Sequence, residues 1–273
     1  MRIVLLIQKP QARGAELFAC SLGNALLENG HQVLLISLFP GDFVLPCKGD
    51  QILLNRNPNH RLWDWKAWKL IHHKIEDWKA DIVLAMAGDT LKFMVLSKFV
   101  FGWKARAVFY NGSIVSNYIN SALVKKYNSF LFKKLDAVIS VSQASAKDMN
   151  TLFNFPIKHF IIPVGIEAIK KRKKRSLPIE LVHIGGFTFE KNHEGLLRIF
   201  SGILKQRPEV RLVSFGAGPL EDKIKEKALE MGVFDRVDWR GAVDNPFEKI
   251  DHQAILLLPS LIEGYPAVIA EAF

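Results

Sequence analysis

The chain has 273 residues, of which 49% are hydrophobic and 23% charged, with a formal net charge of +10. This composition excludes a disordered or collagen-like chain, and the length suits one large domain or two medium ones. The positive charge favours an anionic partner: a nucleotide, a nucleic acid or a bilayer surface.

The N-terminal stretch RIVLLI is short and apolar and lacks a small-residue cleavage site, so it predicts a first strand rather than a signal peptide. No apolar run approaches the roughly 18 residues that cross a bilayer. Cys20 and Cys47 match no metal or redox spacing and are interpreted as reduced thiols of a cytosolic protein.

Strands and helices then alternate along the first half of the chain. A helix is predicted from Ala15 to Asn29, with a stop at Gly30, and a second from Trp63 to Trp78. Further strands are predicted at QVLLIS, DIVLAM, ARAVFY, DAVISV and HFIIP, with helical segments between several of them. This alternation indicates a parallel sheet that is covered on both faces.

A second series of the same kind begins near Ile179. IELVHIG, VRLVSFG, RVDWRG and AILLLP are predicted strands, and the helices HEGLLRIFSGILKQ and PLEDKIKEKALEMG follow the first two, the latter helix closing at Gly232. Six consecutive basic residues, Lys170–Arg175, separate the two series and indicate a linker. We therefore predict a Rossmann-like domain at 1–168, a basic linker at 169–178 and a second Rossmann-like domain at 179–273, both doubly wound and facing a cleft.

Glycines follow several of the predicted strands, where such sheets bind ligands. Gly14 precedes a helix, and the alternatives there are a plain turn and a close approach to a ligand. Lys191 lies beside a helix start after the second domain's first strand, and it is either a solvated loop residue or a ligand for a diphosphate. The remaining glycines stand in two pairs at strand ends: Gly185 and Gly186, then Gly216 and Gly218.

The segment PSLIEGYPAVIAEAF places Glu263 before a short helix and Glu271 in its second turn. Pro266 suits the first helical turn, so free backbone N–H groups are expected from Tyr265 to Val268. Carboxylates accept hydrogen bonds from vicinal sugar hydroxyls. The alternatives are a nucleotide-sugar site and two surface glutamates, and the apolar surroundings of Glu271 favour partial burial.

The motifs FEKN, GAGPL and PSLIEGYPAVIAEAF resemble the signature of family 4 glycosyltransferases, which are retaining enzymes of the GT-B fold. RGAELFACSLGNALLENGHQVLLIS resembles the family's opening unit, and DAVISVSQAS and IIPVGIE resemble its domain-end motifs. The resemblance thus covers nearly the whole chain. It implies transfer of a sugar from a nucleotide diphosphate-sugar to an acceptor hydroxyl.

The resemblance also implies roles for the motif residues. Lys191 would neutralise the donor diphosphate, Glu263 would contact the donor sugar and Glu271 would bind the ribose hydroxyls. Gly14 would cradle the donor or the acceptor, and the backbone of Gly264, Tyr265, Pro266, Ala267 and Val268 would line the phosphates. No metal or further cofactor is expected, and a UDP-sugar is the expected donor because uridine is the commonest base in the family.

Three departures from the family pattern stand beside the resemblance. Gly186 occupies a position where many members carry Arg or Ser, and Asn111 one where many carry His. Members also continue past the second glutamate, so the chain ending at Phe273 is expected to be a C-terminally truncated form with low stability and activity. The alternative function is a non-catalytic relic that binds a nucleotide or a partner; an NAD-dependent oxidoreductase is disfavoured because the chain lacks a G-x-G-x-x-G fingerprint.

The expected acceptor is a bacterial surface glycan or its lipid carrier, and the expected location is the cytoplasm or the inner face of the membrane. The helix at 63–78 has two alternative interpretations: a core helix with Trp68, Ile71, Ile75 and Trp78 on one stripe, or membrane contact through Trp63 and Trp65. The basic linker is either solvated or in contact with anionic lipid. No nucleic-acid-binding motif accompanies the charge, and no nucleic-acid partner is expected.

Overall fold

The computed structural model describes residues 1–60, 63–153, 157–165, 180–243, 245–251 and 253–272. The chain divides into two compact units, Met1–Pro163 and Val164–Phe273. The predicted linker at 169–178 lies outside the described residues.

The first unit is a seven-stranded sheet, in the order β3-β2-β1-β4-β5-β6-β7, in which every pairing is parallel. Strands β1 and β2 are buried along nearly their whole length because both faces of a parallel sheet are covered. The strands are β1 Arg2–Ile7, β2 Gln32–Ser37, β3 Asp50–Leu53, β4 Ile82–Ala85, β5 Arg106–Asn111, β6 Ala137–Ser140 and β7 Lys158–Ile161.

The helices of the first unit are α1 Gly14–Glu28, α2 Trp65–Asp77, α3 Gly88–Phe101, α4 Ala122–Phe132 and α5 Gln143–Leu152. Along α2, Trp68, Ile71 and Ile75 are buried as the predicted stripe requires. Strand β3 and helix α3 have no distinctive sequence pattern, because β3 is mostly exposed and α3 is apolar on most of its faces.

The second unit has a four-stranded parallel sheet in the order β10-β9-β8-β11. Its elements are β8 Glu180–Ile184, α6 His193–Leu204, β9 Arg211–Phe215, α7 Glu221–Glu230, β10 Val237–Gly241, β11 Ile255–Leu256 and α8 Ala267–Ala272. Leu196, Leu197 and Phe200 of α6 pack on this sheet. Helix α7 begins two residues after Pro219, not at it, and the predicted strand AILLLP contributes only two residues to the ladder.

Each sheet has one topological switch point. There the chain stops adding strands on one side of the first strand and begins to add them on the other side. In the first sheet the switch point lies between β1 and β4, and in the second between β8 and β11. Loops at the carboxyl ends of the strands diverge at such a point and leave room for a ligand. The glycine loop after β8 and the Glu263 segment after β11 both start there.

Candidate functional site

The centre of the candidate site is an ion pair at the switch point of the second sheet. Lys191 Nζ lies 2.6 Å from Glu263 Oε1, and the two side chains are 25% and 23% exposed. Lys191 ends a short 3₁₀ turn, Phe189–Lys191, that follows the glycine loop. A cation and a carboxylate that are partly open to solvent can exchange this mutual contact for contacts with a ligand.

The two glycine loops of the second unit pack backbone against backbone. Gly216 has φ +140°, and a Cβ there would come within 2.7 Å of the Gly185 carbonyl carbon. At Gly218 a Cβ would lie 2.6 Å from the Phe187 carbonyl oxygen, and at Gly186 one would lie 3.2 Å from the Ala217 oxygen. The close approach that Gly216 and Gly218 permit is therefore to a neighbouring loop, and their contact with a donor stays a prediction.

Gly185 lies directly beside the side chain of Lys191. A Cβ at Gly185 would stand 3.2 Å from Lys191 Cδ and 3.1 Å from His183 Nε2. His183 is fully buried, and its Nδ1 donates to the carbonyl of Leu257 at 2.9 Å. This bond joins β8 to the segment that carries Glu263.

His193, the first residue of α6, is buried under the same loop. Its ring stacks on Phe187 with centroids 4.1 Å apart and meets His183 edge-on at 4.7 Å. Burial, reinforced by His183 and Lys191 nearby, lowers the pKa of His193 to about 3. Burial also lowers the pKa of His183, so both rings are neutral near pH 7.

Glu271 is half-buried on α8, as its apolar surroundings predicted. Burial raises the pKa of its carboxyl group above the ordinary value of 4.5. Within the part of the chain that the structure describes, no group hydrogen-bonds to this carboxylate. A desolvated carboxylate with free acceptor positions is suited to bind hydroxyl donors.

The backbone before α8 differs from the expectation in one respect. The N–H of Ala267 donates to the carbonyl of Tyr265 at 2.9 Å, so it is not free for a phosphate, and Pro266 has no N–H. The helix begins at Ala267 rather than at Pro266. Val268 is buried. The prediction of free N–H groups throughout 265–268 is thus wrong at Ala267.

The first unit carries its own polar residues at its switch point. Gly14 is exposed as the first residue of α1, and a Cβ there would meet nothing within 4 Å. Gln8, after β1, donates to Asp89 Oδ2 at 2.7 Å at the start of α3, and Lys92 lies 3.2 Å from the other oxygen of Asp89. Gln8 and Asp89 do not stand out in the sequence, because single polar residues after strands are common.

Asn111 is occupied within the first sheet. It is buried at the end of β5, and its amide donates to Ser140 Oγ at 3.1 Å. Ser140 Oγ in turn lies 2.6 Å from His159 Nε2. The amide of Asn111, at the position for which the family resemblance suggests His, therefore joins β5 to β6.

No group of three or more His, Cys, Asp or Glu side chains that could hold a metal ion occurs among the described residues. Across the same ranges, no helix is long and apolar enough to cross a membrane.

The two units, each a parallel sheet covered by helices, have the GT-B glycosyltransferase fold. A solved Anabaena protein, HepE in complex with UDP and glucose, superposes with a TM-score of 0.74 at 16% identity, covering 100% of this chain and 78% of that one. At this identity the likeness establishes the fold alone.

The family follows from the sequence comparisons. The model of Glycosyltransferase Family 4 matches residues 12–169, more than half of the chain, and that of Glycosyl transferases group 1 matches 166–273. The chain belongs to glycosyltransferase family 4.

The curated relatives of this chain include two glycosyltransferases that show the range of similarity. An uncharacterized glycosyltransferase of Methanocaldococcus jannaschii is 24% identical, over 81% of this chain and 61% of the relative. The lipopolysaccharide 1,6-galactosyltransferase of Salmonella typhimurium is 29% identical, over 47% of this chain and 34% of the relative. The chain thus spans less than two thirds of the length of these relatives.

Proposed function

We propose that the chain acts as a retaining glycosyltransferase that moves a sugar from a nucleotide diphosphate-sugar to an acceptor hydroxyl. The observation that carries the proposal is the Lys191–Glu263 pair at 2.6 Å, placed at the switch point of the second sheet in a family 4 chain. This pair places a cation, which can neutralise a diphosphate, beside a carboxylate that can accept hydrogen bonds from sugar hydroxyl groups.

The donor is bound by the second unit. Lys191 neutralises the diphosphate, Glu263 contacts the transferred sugar and Glu271 accepts hydrogen bonds from the ribose. The loop at Gly185–Gly186 and the backbone of Gly264, Tyr265 and Val268 line the phosphates. Gly14 of the first unit is proposed to contact the donor or the acceptor. UDP is the nucleotide we propose, and the UDP bound to the HepE protein of the same fold supports this choice.

The reaction breaks the bond between the anomeric carbon of the sugar and an oxygen of the diphosphate. Positive charge develops on the sugar ring as in glycoside hydrolysis, while the electron pair of the broken bond stays on the leaving phosphate oxygen. Lys191 stabilises the charge that grows on this leaving group. The acceptor hydroxyl attacks the anomeric carbon from the face that the diphosphate leaves, so the configuration is retained. Its proton passes to a phosphate oxygen, so the reaction needs no protein base.

The acceptor is a bacterial surface glycan or its lipid carrier. The Salmonella relative, which is a lipopolysaccharide galactosyltransferase, supports this class. Contact with a bilayer is proposed at the start of α2, where Trp63 is 73% and Trp65 49% exposed beside the exposed Lys66 and Lys69. Interfacial tryptophans with flanking lysines are typical of a surface that meets anionic lipid.

Co-sedimentation with vesicles tests this contact. The chain should pellet with vesicles of phosphatidylglycerol more than with those of phosphatidylcholine, and a Trp63→Ser, Trp65→Ser double variant should lose the difference. Equal binding of the variant to phosphatidylglycerol would overturn the assigned surface.

Thermal unfolding with UDP, GDP and ADP tests the donor site. A nucleotide at about 100 times its dissociation constant adds about 2.7 kcal/mol of stability. We expect UDP to raise the midpoint and Glu271→Ala to abolish the shift. Cooperative unfolding with no shift by any nucleotide would overturn the donor site, and a shift without transfer of a labelled sugar would favour the non-catalytic alternative.

A further inference from the structure

The loop before α6 is joined to the segment 257–263 along most of its length. Alternate residues of that segment contact the loop or its parent strand. The contacts are His183 Nδ1 to Leu257 O at 2.9 Å, Asn192 Nδ2 to Pro259 O at 3.0 Å, Leu261 N to Glu190 O at 2.8 Å and Lys191 Nζ to Glu263 Oε1 at 2.6 Å. Three of these four contacts are made by residues that precede Glu263 in the segment.

The side-chain amide of Asn192 makes two hydrogen bonds, one to helix α6 and one to the segment 257–263. Its Oδ1 accepts the N–H of Gly195 at 3.2 Å and caps α6, while its Nδ2 donates to Pro259 O. Its backbone is left-handed, with φ +51°, which asparagine adopts more readily than most residues. An Asn side chain thus ties the helix start to the segment that carries Glu263.

Gly195 makes room for this amide. A Cβ at Gly195 would come within 2.8 Å of Asn192 Cγ and 2.9 Å of its Oδ1. A side chain at Gly195 would therefore force the Asn192 amide to move. Gly202 lies in the same helix, and a Cβ on it would meet nothing within 4 Å.

We propose that Asn192 is a positioning residue: through its bond to Pro259 O it holds the segment 259–263 against the loop 189–192 and thereby places Glu263 beside Lys191. Asn192 itself acts on the donor through Glu263. The proposal rests on the proposed function for its effect on ligands, whereas the holding of the segment can be measured without any ligand.

Three variants separate the bond from its surroundings. Asn192→Asp keeps an oxygen that caps Gly195 N–H but has no donor for Pro259 O. Gly195→Ala displaces the amide and introduces no charge near Lys191. Gly202→Ala is the matched control, because it adds the same methyl group to α6 without touching Asn192.

The first measurement is hydrogen exchange of the Leu261 amide, which donates to Glu190 O. We expect exchange to be about fivefold to tenfold faster in Asn192→Asp and Gly195→Ala, since losing a hydrogen bond of about 1–1.4 kcal/mol increases local opening by this factor. It should be unchanged in Gly202→Ala. Unchanged exchange in both former variants, or equal acceleration in Gly202→Ala, would overturn the proposal.

The second measurement is the affinity for UDP-sugar by calorimetry. Asn192→Asp and Gly195→Ala should each weaken binding about tenfold, and the loss from Gly195→Ala should shrink in a Glu263→Gln background because the carboxylate to be placed is gone. Losses that simply add in the double variant would overturn the coupling to Glu263. If the chain without substitutions binds no nucleotide, the proposed function is wrong. The exchange rates alone then decide whether Asn192 holds the segment 259–263.

Discussion

Lys191 and Glu263 stand 72 positions apart in the chain, yet Nζ of the lysine lies 2.6 Å from Oε1 of the glutamate. They meet because β8 and β11 are neighbours in the second sheet although β9 and β10 intervene in the chain. Each side chain is about a quarter exposed, so the pair contributes little to stability and is accessible to a ligand.

Replacing Lys191 by Met should change the free energy of unfolding by no more than about 1 kcal/mol, because a partly exposed ion pair contributes little. Its affinity for UDP should fall about tenfold to a hundredfold, as expected for loss of a charged hydrogen bond of about 1.5–3 kcal/mol. Urea unfolding and calorimetry measure the two quantities. Lys191→Arg keeps the charge and should bind better than the Met variant; equal UDP affinity in all three chains would contradict the role in diphosphate binding.

Replacing Glu271 by Gln should stabilise the chain but weaken nucleotide binding. Between 4.5 and its raised pKa the folded chain holds a proton on Glu271 that the unfolded chain has lost, so this residue lowers stability as pH rises. The midpoint of the Gln variant should therefore exceed that of the unchanged chain at pH 8, and the gap should close toward pH 4. Thermal unfolding across this range, with and without UDP, checks both effects; a gap independent of pH would show that the carboxyl group is not desolvated.

Replacing His193 by Phe should reduce the pH dependence of the free energy of unfolding in acid. The pKa of His193 is about 3 in the folded chain and ordinarily 6.5, so between these values the unfolded state takes up a proton that the folded state does not. Each such group steepens the fall in stability by up to about 1.4 kcal/mol per pH unit as pH decreases. The Phe ring keeps the stack on Phe187. Denaturant unfolding between pH 7 and pH 4 measures the slope, and an unchanged slope would count against burial of a neutral imidazole.

Adding a methyl group should lower the stability of the chain at Gly218 but not at Gly14. Gly218→Ala places Cβ 2.6 Å from the Phe187 oxygen and should cost about 1–3 kcal/mol of stability. Gly14→Ala meets nothing within 4 Å at the start of α1, and alanine favours a helix, so stability should hold or rise by up to about 1 kcal/mol. Unfolding in urea compares them. Reduced sugar transfer by a stable Gly14→Ala chain would then report the predicted contact with donor or acceptor, and normal transfer would argue against that contact.

Local patterns were enough to predict most elements and the fold class. Continuous apolar runs predicted β1 and β2, and glycines predicted the stops of α1 and α7, where Gly30 and Gly232 have φ +79° and +65°. The spacing of Glu263 and Glu271 around Gly264 and Pro266 led to the family. These features are readable because periodicity and backbone preference act over a few residues.

The contacts within the site were decided by the tertiary structure. That Lys191 pairs with Glu263 follows from the strand order, which no local pattern encodes. The same neighbourhood brings Asn192 to Pro259, and the packing of two loops turns Gly216 toward the Gly185 backbone rather than toward open space. Sequence spacing determined which residues stand at strand ends. The strand order of the sheet determined which of these residues touch. The reason is that the whole fold, rather than neighbours in the chain, sets the hydrogen bonding between strands.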